Sequence, residues 1–169
     1  MYRKLPNVFI GAVNRTPLGS FEGCLKGLKA PELGSIAISA LLKKSNLTGD
    51  QIDEVFFGNV LQAGVGQAPA RQAALNAGIS PSTPATTINK VCASGMKAVQ
   101  IGYDSIVAGH NSTVICGGQE SISNVPFAVS RYAPRYGGDV MKDLINNDGF
   151  VTKIYIFCND GLFPDSDSI

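Results

Sequence analysis

Ala85-Thr86-Thr87-Ile88-Asn89-Lys90-Val91-Cys92-Ala93-Ser94-Gly95-Met96 changes its pattern midway. Residues 85–89 are rich in β-branched side chains and predict a strand. From Ala93 to about Ala108 the apolar positions Met96, Val99, Tyr103, Ile106 and Val107 recur at helical spacing, and Gly109 supplies the stop. The stretch therefore reads as a strand that turns directly into a helix. It is one repeat of an alternation that runs outward in both directions and is characteristic of a mainly parallel sheet covered by crossover helices.

Toward the N-terminus, residues 54–60 (EVFFGNV) predict another strand. It is followed by the flexible Gly64-Val65-Gly66-Gln67 and by a helix that opens near Pro69. In that helix Ala70, Ala73, Ala74 and Ala77 form a stripe small enough for another backbone to approach closely, and Gly78 stands where a cap belongs. Earlier still, Leu33, Ile36, Ala37, Ala40 and Leu41 recur on one helical face behind Pro31, with Lys43 and Lys44 at the end that favours cations. Residues 7–13 (NVFIGAV) predict a first strand, closed by the turn residues 14–19. Toward the C-terminus, residues 112–116 (STVIC) predict a fourth strand ended by Gly117-Gly118, after which residues 121–149 lose periodicity and read as loop. The fold class expected is α/β.

Composition narrows the function. Apolar residues make up 44% of the chain and charged residues only 16%, against roughly 25% in an average soluble domain, so the chain expects to bury much of itself. Fourteen Lys and Arg against thirteen Asp and Glu, with no basic run longer than a pair, leave no electrostatic footprint for nucleic acid. Polar residues and glycines interrupt every uncharged run short of a membrane span, and Pro6, Asn7 and Gly11 break the apolar run that a signal peptide needs. A soluble protein without a membrane partner, cytoplasmic for want of a visible transit peptide and with a mitochondrial placement as the alternative, is the expectation. Cys24, Cys92, Cys116 and Cys158 are too few and too irregular for a disulfide scaffold, and no CxxC pair points to a metal. Reduced thiols in an intracellular compartment fit that pattern.

Among these thiols Cys92 sits at a junction of strand and helix, where unpaired N–H groups and the helix dipole favour a thiolate and can hold an oxyanion. Ala93, Ser94 and Gly95 leave room for a substrate. On spacing alone, a free cysteine is more often a buried structural residue than a nucleophile. Cys116 within an apolar strand reads as core, Cys24 as an exposed loop thiol, and Cys158 as unremarkable. His110, the one histidine, follows Gly109 between helix and strand and reads as an exposed loop residue. Gly64-Val65-Gly66 lacks the third glycine of a dinucleotide fingerprint, so no nicotinamide cofactor is implied. Arg71, Lys90 and Lys97 are the cations available to steer an anionic ligand, although isolated surface charges are usually just solvated.

The segment Thr86-Thr87-Ile88-Asn89-Lys90-Val91-Cys92-Ala93-Ser94-Gly95-Met96-Lys97-Ala98 closely resembles the nucleophile motif of thiolases, specifically of acetyl-CoA acetyltransferases. Three further stretches are similar to that family in the same order: residues 15–21 (RTPLGSF), Gly58-Asn59-Val60-Leu61-Gln62 with residues 66–72 (GQAPARQ), and residues 117–126 (GGQESISNVP). The resemblance covers about residues 5–150. It implies a thiolase-like layered fold whose first half is incomplete, with an N-terminal thiolase domain at 1–120, the start of a loop domain at 121–150, and a divergent tail at 151–169.

It also implies Cys92 as catalytic nucleophile, acetyl-CoA and acetoacetyl-CoA as substrates, no cofactor beyond the coenzyme A thioester itself, and a homo-oligomer, dimer or tetramer. In that family a second half supplies a His that activates the nucleophile and a second Cys that moves the α-proton; neither motif has a counterpart here, so impaired turnover is expected of this chain. A broad 3-ketoacyl-CoA thiolase and a non-enzymatic fragment are the competing readings.

Overall fold

The computed structural model describes residues 6–132, 136–138 and 140–150. Its centre is a three-stranded parallel sheet in the order β2-β1-β3, built from β1 (Glu54–Gly58), β2 (Ala85–Ile88) and β3 (Val114–Gly118). Val55 pairs with Ala85 on one side of β1 and with Ile115 on the other. A parallel sheet needs cover on both faces, and the alternation along β1 shows how it is obtained. Val55 and Phe57 point into a core with Ile38 and Leu42 of α1 (Ala30–Ser45) and Ala70, Ala73 and Ala74 of α2 (Pro69–Asn76). Phe56 points the other way, to Ile88 and to Ala98 of α3 (Ser94–Ala108). Three layers result, with α1 and α2 on one side of the sheet and α3 on the other.

Each helix boundary has a local cause. Glu32 reaches back to accept the N–H of Lys29 at 2.6 Å and closes the start of α1, and Asn46 ends it in a left-handed conformation at φ 55°. Gly109 ends α3 at φ 80°, as its position in the sequence requires. Beyond β3, the described residues up to 150 include a helical turn at Ile122–Asn124, a short antiparallel pair of β4 (Phe127–Ala128) and β5 (Lys142–Asp143), and a wide helical turn over Ile145–Phe150. The expected loop region is mostly that. The expected tail at 151–169, with Cys158, lies outside the described residues.

Two expectations are corrected. Residues 7–13 form no strand: Phe9 and Ile10 are 83% and 81% exposed, and the segment is held to α1 by Lys44 Nζ donating to the Val13 carbonyl at 3.0 Å and by Asn14 Nδ2 donating to the Ala37 carbonyl at 3.4 Å. A strand exists through its ladder. Residues 14–21, which follow this segment, line a cavity of about 460 Å3 together with α1 and the end of β3.

The second correction concerns α3. The large residues that mark its period, Met96, Val99 and Tyr103, lie outside at 77%, 49% and 45% exposure, and the buried positions are the small Ser94, Ala98 and Gly102. The reason is close approach: a Cβ added to Gly58 would lie 2.8 Å from the Cβ of Ser94, and one added to Gly102 would collide with Cys116 Sγ.

Gly102→Ala should therefore destabilise the fold by about 1–3 kcal/mol in chemical denaturation, as overpacking does. In a Cys116→Ala background, where the sulfur is gone, the same substitution should cost clearly less. An undiminished cost in that cycle would locate the clash elsewhere.

Candidate functional site

All three strands of the sheet point their carboxyl ends the same way, and the polar residues gather there, as in other open parallel sheets. β1 runs out into Asn59, β3 into Gln119 and Glu120, and β2 into the turn that carries Cys92. Cys92 is exposed, two residues before the first residue of α3.

The turn between β2 and α3 is short, and its geometry is held by side chains. Asn89 Oδ1 accepts the N–H of Val91 at 3.0 Å, and Asn89 Nδ2 donates to the Val60 carbonyl at 3.2 Å. Ser94 Oγ donates to the Val91 carbonyl at 2.6 Å and accepts the N–H of Lys90 at 2.8 Å. Between them Val91 adopts φ 49°, in the left-handed region. For a β-branched residue that conformation is a genuine outlier, with a cost on the order of 1–3 kcal/mol that the surrounding bonds must offset.

Below the turn lies a half-buried carboxylate. Glu120 accepts from Asn59 Nδ2 at 2.7 Å, from the N–H of Val60 at 2.8 Å and from the N–H of Leu61 at 3.1 Å. Burial pushes its carboxyl above the usual carboxylate range, while the N–H groups of Val60 and Leu61 and the Asn59 amide oppose the rise. Beside it Gln119 is buried, with Nε2 3.5 Å from Asn59 Oδ1 and with an Oε1 that has no partner among the described residues. The end of β3 is thereby tied to the loop after β1, and through Val60 and Asn89 to the Cys92 turn.

Of the residues singled out by sequence, Cys92 and Lys90 stand at this end of the sheet, in the turn between β2 and α3. His110 is exposed beyond the far end of α3; a helix of 15 residues at 1.5 Å per residue puts it about 20 Å from the Cys92 turn. Arg71 is a structural clamp, its guanidinium donating to the carbonyls of Pro81 at 2.8 Å and Thr83 at 3.1 Å and so fixing the turn into β2. Lys97 Nζ donates to Gln100 Oε1 at 3.1 Å along the helix surface, and Lys90 is exposed. Gly66 serves the same local purpose as Gly64: both adopt positive φ, and Gln72 Nε2 donates to the carbonyls of Val65 and Gln67 to close the loop onto α2.

Cys24 is exposed. Cys116 is partly buried between β3 and α3, and its thiol is pushed up to about 11 by burial, which outweighs the lowering by the Gly102 backbone and is helped by the lesser effect of Glu54. Among the described residues no group of three or more His, Cys, Asp or Glu is placed to hold a metal ion, and no helix is long and apolar enough to cross a membrane.

The sequence assigns no role to Asn59, Asn89 or Glu120, and reads Ser94 only as a small residue beside the thiol, not as a hydrogen-bonding one.

The family described as "Thiolase, N-terminal domain" matches residues 8–159. Mitochondrial acetyl-CoA acetyltransferase of Xenopus tropicalis is 52% identical over 153 residues, covering 90% of this chain and 36% of that protein. The mitochondrial acetyl-CoA acetyltransferase of Homo sapiens is 50% identical over 151 residues, covering 89% and 35%. In structure, a thiolase from Ascaris suum crystallised with coenzyme A superposes with a TM-score of 0.79 at 41% identity, over 81% of this chain and 36% of that one. The chain thus spans about a third of the length of the curated relatives it matches.

The two thiols give the site a direct test. At pH 8 the two-unit rise at Cys116 leaves it roughly 100-fold less thiolate than an ordinary cysteine. Iodoacetamide followed by peptide mass spectrometry should label Cys92 and Cys24 well before Cys116. Equal labelling of Cys116 in a folded sample would contradict the packing of α3 on β3.

Proposed function

The chain belongs to the thiolase family through its N-terminal domain, and from that premise we propose that Cys92 is the nucleophile of an acetyl transfer between coenzyme A thioesters. The observation that carries this reading is the placement of an exposed thiol at the start of α3, at the carboxyl end of the sheet, on a turn built to hold it there. Helix starts present N–H groups without intrahelical partners, and such donors stabilise both a thiolate and the oxyanion that forms when a thioester is attacked.

In the first step Cys92 Sγ bonds to the carbonyl carbon of acetyl-CoA. The bond from that carbon to the coenzyme A sulfur breaks, and coenzyme A leaves as a thiolate that takes up a proton. In the second step the α-carbon of another acetyl-CoA, having lost a proton, attacks the acetyl-cysteine, and acetoacetyl-CoA forms as Cys92 is released. Cleavage of acetoacetyl-CoA is the reverse.

The second step needs an acid and base that serve the α-carbon, and general acid–base groups contribute about 10²–10⁴-fold each. His110, about 20 Å along α3, is not placed to do so. The 169-residue chain on its own is therefore assigned the first step with little condensation. Mitochondrial placement, the alternative weighed above, is the one supported by the names of the relatives; the cytoplasmic expectation has no such support.

Incubation with labelled acetyl-CoA should acetylate the chain at Cys92, with Cys92→Ser unlabelled in thioester-sensitive mass spectrometry, and should yield acetoacetyl-CoA only at a trace rate. Labelling that survives Cys92→Ser would remove the nucleophile assignment.

Homo-oligomerisation is proposed through the outer edge of β2. The carbonyls of Pro84 and Ile88 face β1, so the alternate residues Ala85 and Thr87 present N–H and C=O outward. Thr87 Oγ1 also accepts the N–H of Ala70 at 3.0 Å, which makes Thr87→Val the control for loss of the hydroxyl. Thr87→Pro should lower the dimer fraction in sedimentation well below that of Thr87→Val; equal fractions would take β2 out of the interface.

A further inference from the structure

We propose that Asn89 and Ser94 are positioning residues for Cys92, acting by clamping Val91 in the left-handed conformation that the turn requires. The inference rests on the reading of Cys92 as nucleophile and goes beyond it by naming what fixes the thiol in place.

Both peptide groups flanking the Val91 Cα are held by side chains. The N–H of Val91 is bound by Asn89 Oδ1 at 3.0 Å, and its carbonyl by Ser94 Oγ at 2.6 Å. Fixing the two planes on either side of one Cα fixes its φ and ψ, which are the only soft torsions there. The plane after Val91 contains the amide nitrogen of Cys92, and its carbonyl accepts both the hydroxyl and, at 3.0 Å, the backbone N–H of Ser94, so residue 94 sets the direction of the Cys92 N–H and of the chain that carries the thiol.

The clamp is itself anchored. Ser94 is buried and its hydroxyl also accepts the N–H of Lys90 at 2.8 Å, while Asn89 Nδ2 donates to the carbonyl of Val60, whose own N–H is bound by Glu120. Positional freedom in the turn is thus referred to the ends of β1 and β3. Valine is among the residues least able to hold φ 49° by itself, so release of the clamp lets Val91 return to negative φ and carries the neighbouring thiol away. Glycine holds that φ without assistance.

The experiment uses the 169-residue chain and two readouts: the rate at which Cys92 is acetylated by labelled acetyl-CoA and alkylated by iodoacetamide, and the protection of Cys116 as a monitor of the folded sheet. Asn89→Ala should slow Cys92 in both reactions by roughly tenfold or more while Cys116 stays protected, since small misplacements of a reacting group carry losses of that order. Adding Val91→Gly to Asn89→Ala should restore most of the rate, because the backbone no longer needs the clamp.

A merely structural Asn89 would not be rescued by a glycine two residues away. The proposal is overturned if Asn89→Ala leaves Cys92 unchanged, if the glycine fails to restore it, or if Cys116 loses protection in both the single and the double variant. Absence of acetylation in the wild type would instead end the nucleophile reading, and the iodoacetamide comparison would then decide the clamp by itself.

Discussion

The contact between α3 and the sheet sets the terms for everything above it. Ser94, Ala98 and Gly102 are the buried positions of the helix, and Gly58 and Cys116 lie opposite, so the helix lies on the strands at a distance that one added methyl group would violate. A helix this low begins close to the end of β1. The chain leaving β2 at Ile88 then has only residues 89–93 in which to rise and enter α3. A turn so short has few solutions, and the one adopted uses a left-handed residue just before the cysteine. The strained backbone at Val91 and the exposure of Cys92 are both consequences of small residues packed a turn or more away.

Glu120 shows why a carboxylate and not an amide closes the other side of the site. It receives three donors, two from backbone N–H groups and one from Asn59, and a glutamine would turn a donor of its own toward one of them. Burial raises its folded-state pKa, so the ionised form is held at some cost. Its contribution to stability is fullest below the unfolded-state pKa and is lost as pH rises through the folded-state value. Asp53 has the opposite sign. It is exposed and accepts the N–H groups of Ser112 and Thr113 at 2.7 and 2.8 Å, which lower its pKa, so what it contributes is present above the unfolded-state value and is lost as pH falls through the folded one. One acid fastens the entrance of β3 from solvent, and the other fastens its exit from within.

What could be read from the sequence was whatever a local period or a short ordered motif encodes. The helices around Ile38, Ala73 and Ala98, the parallel alternation and the cysteine at the strand-to-helix turn are all of that kind. The misreadings share one physical origin. Residues 7–13 have strand composition, but a strand needs a partner backbone, and composition does not say where one is. The stripe of Met96, Val99 and Tyr103 has the right period and faces away from the sheet, because periodicity reports that a face exists and not which face a neighbour can approach. Arg71 read as a free cation because its partners are carbonyls ten and twelve residues on, which no side-chain pattern displays. Asn89 and Ser94 were quoted inside the motif, yet their roles lie in bonds to Val91 and Val60 that only coordinates reveal.

The same division between local and distant interactions runs through the chemistry. Placing the proposed nucleophile requires only consecutive residues: the end of β2, the turn and the start of α3. Protecting an acetyl-cysteine from water requires surfaces that come from elsewhere. Val91 at 45% and Met96 at 77% exposure flank the thiol, and Val99 and Tyr103 continue the open apolar face along the helix. An acyl group on Cys92 would stand in that open setting, where water competes with any second acyl acceptor, and exclusion of water is one of the services a closed active site performs. In this chain, then, the residues proposed to form the intermediate are adjacent in sequence, while among the described residues Val91, Met96, Val99 and Tyr103 leave the face beside them exposed.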